Sequence, residues 1–121
     1  MMANIPREVL GGDAEAGKRF DALRRSFEAM AAVKVDLLSA FAPARQDVPW
    51  DQLAAFYRRL MKDLEPNGVR IASHSGGAFN TYAAMSRLIA DVPSPNNGFC
   101  FCSGNVWHGE GEKIYDIPPK L

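Results

Sequence analysis

Two short stretches carry the side chains best equipped for chemistry. Val69-Arg70-Ile71-Ala72-Ser73-His74 ends in an imidazole and breaks into Ser75-Gly76-Gly77. Phe99-Cys100-Phe101-Cys102 ends in a thiol and breaks into Ser103-Gly104. Read as strands with a period of two, Cys100 and Cys102 share one face, and Phe99 and Phe101 the other. Ala72 and His74 face one way; Val69, Ile71 and Ser73 face the other. His74 and Cys102 are then the last residues of adjacent strands, level with one another, and Cys100 lies one step deeper. An imidazole and a thiolate together suit a borderline-soft divalent ion such as Fe²⁺, Mn²⁺, Co²⁺ or Zn²⁺. Spacing alone leaves a plainer alternative open, a core cysteine and a histidine that bonds its loop. A metal also needs further donors, and His108, Glu110, Glu112 and Asp116 have no spacing that recommends them.

Two other readings compete for the same loop. Ser73-His74-Ser75-Gly76-Gly77 approximates the Gly-x-Ser-x-Gly nucleophile elbow of serine hydrolases, with Ser73 in place of the first glycine. Ser75 would be the nucleophile, and His108 with Asp91 or Asp116 would complete a triad. Alternatively, Ser75-Gly76-Gly77 bares backbone N–H groups at a helix start and cradles an anion, in a small non-catalytic α/β domain.

The elements that must position these residues are legible from periodicity. Phe20, Leu23, Phe27 and Met30 recur at helical spacing after Asp13, a suitable N-cap. A second helix follows Asp47-Val48-Pro49, with Leu53, Phe56, Leu60 and Leu64 as its apolar stripe, and stops at Glu65-Pro66-Asn67-Gly68. A third is expected over Phe79 to Ala90, with Tyr82, Met85 and Leu88 or Ile89 inward. Between them Val33 to Ser39, Val69 to His74 and Phe99 to Cys102 read as strands. Their starts lie 36 and 30 residues apart, about one βα unit each. This alternation predicts an α/β fold with a parallel sheet and right-handed crossovers. Ligands in such proteins gather at the C-terminal strand ends, where His74 and Cys102 lie. The tail after Cys102, which turns rich in glycine and charge at Gly109-Glu110-Gly111-Glu112, predicts no further element.

Composition bounds the function. The chain has 121 residues, 47% apolar and 23% charged, which fits one globular domain over 1–121. Fourteen basic and fourteen acidic residues cancel, so no basic excess points to nucleic acid. Arg24-Arg25 and Arg58-Arg59 read as solvated helix faces. No apolar run approaches the roughly 18 residues of a membrane span, and Met1-Met2-Ala3-Asn4-Ile5-Pro6 lacks the pattern of a signal peptide. Two cysteines only two apart would form a strained disulfide, so reduced thiols and a cytoplasmic location are expected.

The stretch Ser94-Pro95-Asn96-Asn97-Gly98-Phe99-Cys100-Phe101-Cys102-Ser103-Gly104 resembles the mannonate dehydratase family, whose Ser-Pro-x-Asn-Gly leads into a strand ending in Cys-x-Gly. Asn67 to His74 is similar to the family's preceding strand, which ends in histidine. The helix from Trp50 to Leu64 and the segment from Arg7 to Ala32 extend the resemblance over most of the chain. It implies a (β/α)₈ TIM barrel of the xylose-isomerase-like kind. It also implies dehydration of D-mannonate to 2-keto-3-deoxy-D-gluconate in hexuronate (glucuronate) breakdown. The implied cofactor is a divalent metal, Mn²⁺ or Fe²⁺, with His74 and Cys102 on two metal positions. The family has a proline and acidic residues after the histidine, whereas Ser75-Gly76-Gly77 follows here. A complete barrel needs roughly 250 residues, so this chain is expected to hold about half of one. A second histidine, an aspartate and the catalytic acid and base are expected outside it. The section is expected to be inactive alone and to self-associate through exposed barrel edges.

Overall fold

The computed structural model describes residues 2–43 and 47–117. Near the N-terminus, the carboxylate of Asp13 accepts the Ala16 N–H at 2.7 Å and starts α1, Ala14–Ala32. Its inward stripe buries Ala16, Phe20, Phe27 and Met30, with Leu23 at the margin. The helix unwinds through Lys34, whose φ of 59° is left-handed. That turn and the following residues consume Val33 to Asp36, so β2 spans Leu37–Phe41 rather than the expected Val33 to Ser39. Val33 is left 70% exposed.

The next helix, α2 (Trp50–Leu64), starts directly after Pro49, and Leu53, Phe56, Leu60 and Leu64 are all buried. It ends as predicted: Val69 N–H returns to the Leu64 carbonyl across Gly68, whose φ of 64° suits glycine. The chain then enters β3, Arg70–His74. A 3₁₀ turn over Gly77–Phe79 intervenes before α3, Tyr82–Asp91. This start lies three residues later than Phe79, because Thr81 Oγ1 accepts the Ala84 N–H and caps the helix there. Met85 and Leu88 point inward, and Ile89 is 41% exposed.

The third predicted strand is displaced. β4 spans Asn97–Cys100, two residues ahead of the expected Phe99 to Cys102. Its start is anchored by Asn97, whose amide donates to the Val92 carbonyl at 3.0 Å. The ladder closes where Ser75 N–H meets the Cys100 carbonyl, and Phe101 and Cys102 already lie beyond it. Two features were not anticipated. A three-residue β1, Met2–Asn4, precedes everything else. The tail expected to be structureless instead forms α4, Ser103–Glu110, and a 3₁₀ helix over Gly111–Asp116. Buried Val106, Ile114 and Ile117 hold it down despite its polar composition.

All four strands are parallel and stand in the order β1-β2-β3-β4. Each strand pairs with the next in sequence, so the winding never reverses. Right-handed crossovers then place the connecting helices on one face. The sequence expectation of parallel βα units therefore holds. On the helix face lie Leu38, Ala40, Ile71 and Ser73, all buried. Tyr57 on α2 reaches that face and shares a buried hydrogen bond with Ser73 Oγ at 2.8 Å. The opposite face is open: Leu37 and Phe41 are 44% and 40% exposed.

Candidate metal centre

The chemistry-bearing residues gather on the open face, at the C-terminal ends of the strands. The pairing register aligns Asn4, Phe41, His74 and Cys100 in one row across β1 to β4. Register partners in a parallel pair share a face, so His74 and Cys100 are neighbours there. This corrects the expected pairing. Cys100, and not Cys102, stands opposite His74, because β4 begins at Asn97 and is exhausted before Cys102 is reached. Cys102 sits one short step above, as the N-cap residue of α4.

His74 is oriented from two sides. Its ring stacks on Phe41, with centroids 4.5 Å apart and planes tilted by 36°. Its Nδ1 lies 3.3 Å from Nδ2 of Asn105, which α4 brings back over the strand end. With the amide donating, Nδ1 accepts and Nε2 carries the proton. Turned by 180°, the amide offers Oδ1 to an Nδ1–H and leaves the Nε2 lone pair free for a metal. Asn105 was not identified from the sequence, since its partner lies 31 residues away. A Cβ at Gly76 would come within 2.9 Å of the Asn105 amide, so glycine there leaves room for it.

The donor chemistry fits a borderline-soft divalent ion, with one imidazole and two thiols close to one strand end. Among the described residues no group of three or more His, Cys, Asp or Glu is placed to hold an ion. His74 with Cys100 or Cys102 does not by itself make up such a group. Both cysteines are free and partly buried.

The serine-hydrolase reading does not survive the geometry. Ser75 is fully buried, and its Oγ accepts the Cys102 N–H at 2.6 Å. Asp91 lies at the far end of α3, where it accepts from the Trp50 indole at 2.7 Å. That puts it at the opposite end of the βα unit from Ser75, so no triad forms with it. The anion cradle is also absent in its expected form. Ser75 N–H belongs to the ladder, and α3 starts only at Tyr82, whose N–H donates to Glu110 Oε1 at 2.7 Å. The helix N-terminus is thus satisfied by a carboxylate of the same chain.

A further open groove lies away from these residues. It measures about 550 Å³ and runs between α3 and β4, lined by Tyr82, Met85, Ile89, Phe99 and Phe101. Phe99 is the register partner of Ser73 and so lies on the helix face, away from His74.

No known family model and no curated protein matches the chain. Solved structures do match its fold. The IolI protein with a bound zinc atom aligns with a TM-score of 0.72 and 18% identity, covering 97% of this chain and 45% of that one. A fusion of a xylose isomerase-like TIM barrel with 4-hydroxyphenylpyruvate dioxygenase gives 0.70 and 23%, covering 96% and 19%. Mannonate dehydratase from Streptococcus suis serotype 2 gives 0.66 and 14%, covering 97% and 46%. The chain spans less than half the length of these proteins. What is shared is the fold. The chain is α/β, four consecutive parallel strands with their helices, equal to about half of a (β/α)₈ TIM barrel.

Proposed function

We propose that this chain is a section of a metal-dependent hydro-lyase of the mannonate dehydratase kind, acting on D-mannonate or a close sugar acid in the cytoplasm. One observation carries the reading. His74 and Cys100 are register partners on the open face at the C-terminal strand ends, where barrel enzymes bind their ligands, and Cys102 follows two residues on. The Ser94-to-Gly104 motif and the likeness to a mannonate dehydratase structure favour this reaction, and a zinc-bearing structure of the same fold favours a metal.

His74 would donate through Nε2, positioned by Phe41 and by Asn105, and Cys102 or Cys100 through its thiolate. A bound Mn²⁺ or Fe²⁺ supplies Lewis acidity, which acidifies the C–H beside the substrate carboxylate. The chain's own part is to hold the imidazole in one orientation and to keep a thiolate within reach. No residue of this chain is assigned as the catalytic acid or base.

Elemental analysis after anaerobic purification tests this. The chain should retain Mn, Fe or Zn, and His74→Ala and Cys102→Ser should each lower the metal content severalfold. Metal-free protein, with both variants indistinguishable from the parent on titration with these ions, would overturn the assignment.

A further inference from the structure

Helix α4 meets the β3–α3 loop along one face. Asn105 and Gly109 stand at i and i+4 and so share that face. Asn105 reaches the strand end, its amide nitrogen 3.3 Å from Nδ1 of His74. One turn on, Gly109 lies so close to the loop that a Cβ there would overlap the backbone carbonyl of Asn80. The adjoining Glu110 accepts the Tyr82 N–H at 2.7 Å. The loop is thus clasped along the length of α4, and its contact at Asn80 is with backbone, which no turn of a side chain relieves.

The two glycines of α4 are not equivalent. Glycine is a poor helix former, so alanine at either position should by itself favour the helix. Gly104 has open space where a Cβ would go, whereas at Gly109 the loop backbone occupies it. Gly76 makes the matching provision on the loop, since a Cβ there would come within 2.9 Å of the Asn105 amide nitrogen. Its backbone is extended, with φ at 168°, so its conformation suits any residue and only the space for a side chain is missing. Gly76 admits the amide, and Gly109 sets the height at which α4 delivers it.

We infer that α4 is a clip for the His74 imidazole, with Gly76 and Gly109 as its positioning residues. Their missing side chains seat Asn105 on Nδ1, which holds the ring in one tautomer and one orientation. The effect on a bound ion rests on the proposed metal chemistry; the effect on the ring does not.

Long-range ¹H–¹⁵N spectra of the histidine rings test this on metal-free protein at about pH 9, above the ordinary histidine range. The two nitrogens of an imidazole resonate far apart when one tautomer is held and draw together when two exchange. His74 should show the separated pair, with His108, the other histidine of the chain, as the internal reference. Gly109→Ala and Gly76→Ala should each draw the His74 pair together, and Gly104→Ala should leave it unchanged. In an Asn105→Ala background neither substitution should move the signals further. Zn²⁺ should bind severalfold more weakly to Gly109→Ala and Gly76→Ala than to Gly104→Ala. A parent-like pair in the folded Gly109→Ala and Gly76→Ala proteins, a shift that persists without Asn105, or a His74 already averaged in the parent would overturn the inference. So would a Gly109→Ala protein that fails to fold, which gives that glycine a role in the fold alone. Ring signals that behave as expected without any Zn²⁺ binding would sink the metal reading and leave the clip standing.

Discussion

The Oγ of Ser75 accepts the backbone N–H of Cys102 at 2.6 Å, fastening the end of β3 to the residue that caps α4. The hydroxyl is fully buried, so its removal leaves the Cys102 N–H without a partner. Ser75→Ala should cost about 1–3 kcal/mol in urea unfolding. A fluorophosphonate probe should not label Ser75, and labelling that disappears in Ser75→Ala would contradict this structural role.

The two thiols should behave differently. Cys100 is the register partner of His74, whereas Cys102 lies beyond the last rung of the ladder. If Cys102 is the ligand that the resemblance implies, Cys102→Ser lowers metal retention and Cys100→Ser chiefly lowers stability. The register makes the reverse outcome a second definite result, assigning the thiolate to Cys100. Metal content and melting temperature, measured together on both variants, separate the two.

Asn105 should act on the metal only through His74. Partners that orient a metal ligand in this way are worth about 10–100-fold in metal affinity. Asn105→Ala should weaken metal binding by that order with little change in melting temperature. Asn105→Asp, which supplies a fixed acceptor for Nδ1–H, should restore it. A titration with Zn²⁺ or Mn²⁺ reads both, and equal affinities in all three proteins would remove Asn105 from the site.

Burial pushes the Tyr57 phenol well above its ordinary value, against a smaller opposing effect of the hydrogen bond with Ser73. The neutral form is therefore the one the folded chain holds. Below about pH 10 the tyrosine is protonated in both folded and unfolded chains and contributes no pH dependence. Above that pH the unfolded chain loses its proton while the folded chain keeps it, so stability falls, by up to about 1.4 kcal/mol per pH unit. Tyr57→Phe should flatten this decline, at a cost near neutrality of about 1–3 kcal/mol for leaving Ser73 Oγ unpaired. Unfolding curves at pH 8, 10 and 11 for both proteins are the measurement.

The helices α1 to α3 were legible because their signals are local, whereas α4 was not. A 3.6-residue stripe, the Asp13 cap and the Glu65-Pro66-Asn67-Gly68 breaker all lie within a few positions of what they determine. The strands were legible in kind but shifted in place. Where β2 begins depends on the left-handed turn at Lys34, and where β4 begins depends on Asn97 gripping Val92. Period-two alternation runs through both sites without marking them. β1 is too short for any period, and only its pairing with β2 makes it a strand. The site followed the same division. His74 was identified as a strand-end residue, but its level relative to the cysteines depended on a register that slips with a two-residue shift. Asn105 and Glu110 act across 31 and 28 residues, a distance at which no local pattern exists.

Glu110 has a consequence for anion binding at the start of α3. Its carboxylate, fixed to the Tyr82 N–H, is in effect a tethered inhibitor of the α3 N-terminus. A tethered group competes at an effective concentration of order millimolar, and a free sugar acid well below that level does not displace it. Under the proposed reading, the carboxylate of a sugar acid would be met away from the α3 N-terminus.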